Sequence, residues 1–142
     1  MTRPVLWDSS AILAALDASD ANHQEAAKIA ALLAAEKGTS FITNYVEAET
    51  HALLLRKLGR LAARTWLLAG PLPVIRATVE DEQAARALIA THDDKDWSFC
   101  DAVSFAVCRR LRVPRAFSFD RHFVQFGNVE VLGGTRRVRP RR

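Results

Sequence analysis

Four acids stand where burial is expected and a carboxylate needs a reason: Asp8, Glu49, Asp101 and Asp120. Asp8 closes the apolar run PVLW, and Asp120 closes the run AFSF. Asp101 falls in the first turn of a helical stretch, and Glu49 falls early in another. Carboxylates are costly to bury unless paired, hydrogen-bonded or bound to a metal. Several that converge at strand ends therefore call for a cation. The four histidines, His23, His51, His92 and His122, are scattered and lack zinc-ligand spacing, and there is no CxxC. An all-oxygen set suits a hard divalent ion, Mg²⁺ with Mn²⁺ as the alternative. The matching chemistry is phosphoryl transfer or phosphodiester hydrolysis, with metal-activated water as the nucleophile.

Each acid also has an ordinary structural reading. Asp8 is a good helix N-cap for the segment that follows, although Ser9 or Ser10 would cap as well. Glu47 and Glu49 compete. With Asn44 as the cap, Asn44-x-x-Glu47 gives Glu47 a local task at N3. At about 100° per residue, Glu49 falls on the apolar arc with Val46, Ala48, Ala52 and Leu53, so it is the acid that needs explaining; a salt bridge to Arg56 is its structural alternative. Ser98-x-x-Asp101 is itself a capping-box pattern, yet Asp101 shares a stripe with Ser104, Phe105 and Cys108 that should face the sheet. Asp120 would otherwise start a turn. In the polar loop HDDKDW, Asp93 reads as solvated, while Asp94 and Asp96 are accessory candidates.

The elements that must position these acids alternate between strand and helix. Strands are expected at residues 4–7, 40–43, 74–78, 116–118 and 128–132, the last at an edge. Helices are expected at residues 11–16, 23–37 (stopped by Gly38), 44–59, 60–69, 80–92 and 98–112, with a short turn or helix at 120–126. The alternation predicts a three-layer α/β/α sandwich with a mainly parallel sheet. In such open sheets, sites form at the carboxyl ends of the strands, where Asp8 and Asp120 stand.

The chain has 142 residues, about half apolar and a quarter charged, which suits one soluble domain over residues 1–135. Five of the last seven residues are arginine; without them the net charge of +4 becomes −1, so the basic character is a tail at 136–142. Such a tail supplements phosphate binding or is simply solvated. Cys100 and Cys108 read as small core residues of a reducing compartment. No apolar run reaches the ~18–20 residues of a membrane span, and the opening MTRPVLWDSS has no signal-peptide layout. A cytoplasmic protein without membrane contact is expected.

Three segments carry a resemblance: VLWDSSAILAAL, TNYVEAETHALLLRKLGRLAA and DKDWSFCDAVSFAVCRRLRVPRAFSFDRHFVQFG. In order and context they resemble PIN-domain ribonucleases, specifically VapC-type toxins of toxin–antitoxin pairs. The resemblance implies a Mg²⁺- or Mn²⁺-dependent endoribonuclease acting on tRNA, rRNA or messenger RNA loops. It carries the family's four acids onto Asp8, Glu49, Asp101 and Asp120 as catalytic metal-binding residues. It carries the family's hydroxyls onto Ser10 and Ser118, and it gives Asp96 weaker support. It further implies a homodimer and a VapB-like antitoxin that presents a basic side chain to the site and contacts operator DNA. The apolar helices at 26–35 and 52–68 are candidate partner surfaces, and Lys95, Arg109 and Arg121 are candidate phosphate contacts. Two rivals remain at this stage: a receiver-like phosphoacceptor domain, and a non-catalytic RNA- or protein-binding module.

Overall fold

The first apolar run, Val5–Trp7, forms β1 at the centre of a five-stranded sheet. Ser40–Thr43 forms β2, Val74–Ile75 β3, Arg115–Phe117 β4 and Glu130–Leu132 β5. The order is β3-β2-β1-β4-β5, and every pairing is parallel. This computed structural model describes residues 3–37 and 39–134. The basic tail at 136–142 and the expected helix stop at Gly38 lie outside the described residues.

Seven helices of the described residues connect and cover the strands: α1 Ser9–Leu16, α2 His23–Ala35, α3 Asn44–Leu58, α4 Arg60–Ala69, α5 Val79–Thr91, α6 Phe99–Leu111 and α7 Arg121–Phe126. Side chains alternate across a strand with period two, and the central strand shows it. Leu6 packs with Phe41, Ala116 and the buried faces of α5 and α6. Val5 turns the other way and packs with Phe117, Leu132 and residues of α1 and α2. The result is the expected α/β/α sandwich, with a sheet that is parallel throughout.

The strand order carries functional information. From β1 the chain steps to β2 and β3 on one side, then crosses to β4 and β5 on the other. The carboxyl ends of β1 and β4 thus flank the point where the winding reverses, and crevices open at such points. Receiver-type domains order their strands 2-1-3-4-5, so the topology removes the receiver-like rival.

Several element boundaries differ from expectation. β3 stops at Ile75 because the chain leaves the sheet there: the Ala77 N–H donates to the Asn44 side chain at 2.8 Å, and Thr78 caps α5. That hydrogen bond also explains why Asn44 is not the cap of α3. Thr43 takes that role, accepting from the Val46 N–H at 3.1 Å, so Glu47 is not at N3. The cap boxes of α5 (Thr78/Asp81) and α6 (Ser98/Asp101) both form. At the far end of the sheet, Gly133 has φ +127°, and a Cβ there would lie 2.3 Å from the Ser118 carbonyl oxygen. Glycine is thus required where the chain after β5 presses against the end of β4.

α5 and α6 run antiparallel, and one ion pair ties them. Arg110, in the last turn of α6, donates from Nε and Nη2 to both oxygens of Asp81 at 2.8 and 2.9 Å. Asp81 is buried, and the Arg110 hydrogen bonds hold its carboxyl below the usual carboxylate range. A depressed native pKa contributes stability above the unfolded value that is lost as pH falls. Removing the guanidinium leaves a buried carboxylate short of partners. Arg110→Ala is expected to lower unfolding free energy by about 1–3 kcal/mol at pH 7 in denaturant titrations, and the loss should shrink toward pH 3. An unchanged midpoint at pH 7 would show that the pair does not hold α6 in place.

Candidate active site

Asp8 ends β1 and occupies the N-cap position of α1, but its side chain makes no cap hydrogen bond. Its Oδ2 instead accepts from Ser10 Oγ at 2.7 Å and Ser118 Oγ at 3.0 Å. Ser118 lies immediately past β4, so these contacts join the carboxyl ends of the two central strands. The same hydroxyls accept backbone hydrogens: Ser10 Oγ from Phe119 and Ser118 Oγ from Asp120, both at 3.0 Å. Each serine therefore orients Asp8 while anchoring the turn that carries Asp120.

Glu49 reaches the cleft from the second turn of α3, where Ser9 Oγ donates to its Oε1 at 2.5 Å. Among the described residues no ion pair joins it to Arg56, which is exposed. Glu47 lies elsewhere, beside Ile42, Trp66 and Leu67. Asp101 is buried at N3 of α6; its Oδ2 accepts from the Ser98 N–H at 3.1 Å and from His122 Nδ1 at 2.7 Å. Asp120 caps α7 through its Oδ1, which accepts from the His122 N–H at 3.1 Å and lies 3.2 Å from His122 Nδ1. The turn-starting and cap-box readings of Asp120 and Asp101 thus hold together with a place in the cleft.

His122 is the residue that sequence reasoning missed. Its ligand atom and those of Asp101 and Asp120 lie within 4.8 Å of one another. The DRH run gives a signal only after Asp120 is identified, and the partner Asp101 is 21 residues away. Ser9 was missed for the same reason. Cys100 packs against the core as expected but is only half-buried, and its thiol pKa is driven upward by burial first and then by the charges of Glu49, Asp8 and Asp101. It borders the acids, whereas Cys108 is a core residue whose thiol burial pushes up to about 12.

The loop acids stay outside the cluster. Asp94 pairs with Lys95 at 3.1 Å, and Asp96 is 90 % exposed, 3.9 Å from Arg121. Arg109 lies over the Phe126 ring, 5.6 Å from its centroid. Of the candidate phosphate contacts, Arg121 follows directly after Asp120 and is largely exposed.

Charge crowding shows in Asp8. Burial first, opposed by the Ser10 hydrogen bond and reinforced by the charges of Asp101 and Glu49, raises its pKa from 3.8 to about 6. Buried like charges resist ionising together. A divalent cation among them relieves that cost. The donor set fits one: among the described residues, hydrogen bonds fall on Oδ2 of Asp8, Oδ2 of Asp101 and Oδ1 of Asp120, leaving the other oxygen of each for an ion. Carboxylate oxygens with one nearby imidazole suit Mg²⁺ or Mn²⁺.

Comparison with known proteins gives the family and the fold. The family model of the PIN domain matches residues 5–129. The 23S rRNA-specific endonuclease VapC20 of Mycobacterium tuberculosis, in strains CDC 1551 / Oshkosh and H37Rv, is 35% identical over 130 residues, covering 89% of this chain and 97% of the relative. The crystal structure of M. tuberculosis VapC20, described as a sarcin–ricin loop-cleaving toxin, superposes with a TM-score of 0.76 at 30% identity, over 94% of this chain and 99% of that one. DNA-bound VapBC from Salmonella typhimurium shares the fold, with a TM-score of 0.68 at 11% identity over 92% and 97% of the chains.

The raised pKa of Asp8 has a measurable consequence. The folded chain holds this proton more tightly than the unfolded chain, so the stability it contributes is full below pH 3.8 and lost as pH rises through about 6. The full difference corresponds to about 3 kcal/mol. Asp8→Asn keeps an acceptor for both serines and removes the charge. It is expected to melt above wild type at pH 7.5 in EDTA, with the gap narrowing at pH 4.5. An Asn variant less stable than wild type at both pH values would contradict the charge-crowding account.

Proposed function

This chain belongs to the PIN-domain family, of the VapC type, and from that premise we propose that it is a divalent-metal-dependent endoribonuclease whose target is ribosomal RNA. What supports the reading is the convergence of Asp8, Glu49, Asp101 and Asp120, from four separate segments, on the crevice between β1 and β4. Mg²⁺ or Mn²⁺ bound there would supply Lewis acidity, lowering the pKa of a bound water and steadying the charge that builds on the phosphoryl oxygens. Asp8, Asp101 and Asp120 hold the ion with the oxygens their protein donors leave open. Glu49, steadied by Ser9, binds the ion or orients the attacking water. Ser10 and Ser118 keep the Asp8 carboxylate turned into the crevice. In-line attack leaves 5′-phosphate and 3′-hydroxyl ends. Arg121, exposed beside Asp120, receives the flanking phosphate, and Lys95, Arg109 and the basic tail are further candidates.

The choice of ribosomal RNA rests on the specificity named for VapC20 and on an identity of 35% across nearly its full length. A loop substrate fits a crevice at the carboxyl ends of the central strands, because a splayed single strand exposes its backbone. As a VapC-type toxin the protein is held inactive in the cytoplasm by a VapB-like antitoxin, which brings it to operator DNA, and it forms a homodimer. Exposed leucines support a partner surface: Leu61 and Leu68 on α4 are 79% and 68% accessible, and Leu32 on α2 is 59%. Near them, an apolar cavity of about 220 Å³ opens between Trp7, Leu16, Trp66 and Leu72. Among the described residues no helix is long and apolar enough to cross a membrane.

The test incubates the protein with bacterial ribosomes and with isolated tRNA, in Mg²⁺, Mn²⁺ or EDTA, and maps fragment ends by sequencing. Discrete cuts in 23S rRNA that need metal are expected. Asp8→Asn and Asp101→Asn should each lose at least about a hundredfold in rate, near 3 kcal/mol of transition-state stabilisation. Cuts confined to tRNA would overturn the substrate, and intact RNA under every condition would overturn the enzyme.

A further inference from the structure

Two of the acids are held by a third side chain that the proposed chemistry does not use. His122 Nδ1 sits 2.7 Å from Asp101 Oδ2 and 3.2 Å from Asp120 Oδ1, and its side chain is only 16 % exposed. Both neighbours are carboxylate oxygens, which only accept when ionised, so Nδ1 is the nitrogen that carries hydrogen. The His122 backbone N–H donates to the same Asp120 Oδ1 at 3.1 Å. One residue thus supplies donors to two acids on different elements, the first turn of α6 and the cap of α7.

The oxygens chosen are informative. Asp101 Oδ2 is already used by the Ser98 N–H of the α6 cap box. His122 adds its hydrogen to that same oxygen, so Oδ1 is left open. On Asp120 the His122 backbone N–H falls on Oδ1, and Nδ1 lies 3.2 Å from that same oxygen, so Oδ2 is left open. Ser10 and Ser118 treat Asp8 in the same way, both donating to Oδ2. Ligating carboxylates are commonly fixed by such outer hydrogen bonds, and their loss weakens metal binding.

We propose that His122 is a positioning residue of the metal centre: its Nδ1–H holds Asp101 by one oxygen, its backbone N–H holds Asp120 by one oxygen, and the other two oxygens are presented to the cation, without His122 itself coordinating. This rests on the reading of the crevice as a divalent-metal site. His122 is to Asp101 and Asp120 what the serine pair is to Asp8. Nδ1 donates to a carboxylate and has no lone pair to give an ion, so ligation would have to run through Nε2, and directly bound nitrogen would reveal it.

The test measures Mg²⁺ and Mn²⁺ binding to wild type, His122→Ala and His122→Asn by calorimetry, with circular dichroism and melting as controls of folding. Pulsed electron paramagnetic resonance of Mn²⁺-loaded wild type reports directly bound nitrogen without any variant. His122→Ala is expected to weaken both ions to a similar extent, about 10–100-fold. His122→Asn, whose amide offers a hydrogen from nearly the same place, should recover most of that loss, and the wild-type spectrum should show no coordinated ¹⁴N. Directly bound nitrogen in wild type, or an alanine variant that binds both ions within twofold of wild type, would overturn the proposal. Wild type that takes up neither ion would overturn the metal reading itself and this inference with it.

Discussion

The burial of the Asp8 carboxylate at the carboxyl end of β1, beside Asp101 and Glu49, is the constraint around which the rest of the molecule is arranged. Asp8 is 3% exposed and shares its surroundings with Asp101 and Glu49, and burial with those charges lifts its pKa to about 6. Nothing in the hydrophobic core requires acids there. The fold accepts the cost because hydroxyl and N–H donors satisfy one oxygen of each of Asp8, Asp101 and Asp120, and under the proposed function the remaining oxygens would take a cation. A site of this kind is destabilised when empty and pre-arranged for its ion, the usual relation between stored electrostatic cost and function.

The architecture delivers the acids with short, inflexible connections. Asp8 and Ser118 stand one residue beyond adjacent parallel strands, and Ser10 and Asp120 each lie two residues further along. α6 begins beneath them with Asp101 at N3, where its carboxylate serves the helix cap and the site together. Gly133, pressed against the Ser118 carbonyl, lets β5 close on β4 without displacing the hydroxyl that Asp8 needs. Local capping, sheet pairing and site geometry are therefore satisfied by the same atoms, the consistency expected of a sequence that specifies one structure.

Much of this was legible in the chain because the signals were local. Strand–helix alternation gave the parallel sandwich, and the apolar runs ending in Asp8 and Asp120 pointed to the ends of β1 and β4. The helix arc separated Glu49 from Glu47, while the separate reading of Asn44 as a cap holding Glu47 at N3 was wrong: Thr43 caps α3, and Asn44 is engaged by the Ala77 N–H across the sheet. What stayed hidden depended on partners distant in sequence. His122 meets Asp101 across 21 positions, Ser9 meets Glu49 across 40, and Cys100 borders the acids as well as the core. Spacing rules for metal ligands see only near neighbours, so a histidine recruited by the fold escaped them. The accessory reading of Asp94 and Asp96 went the other way, since both project from the loop and pair with Lys95 and Arg121 outside the cluster.

The most direct test of the central claim is anomalous diffraction from a crystal of the protein soaked in Mn²⁺. The account predicts an anomalous peak in the crevice between the ends of β1 and β4, contacted by Asp8, Asp101 and Asp120, and its absence from an Asp8→Asn crystal treated identically. Ordered acids with no ion between them at saturating Mn²⁺, or an ion bound only elsewhere on the chain, would contradict it.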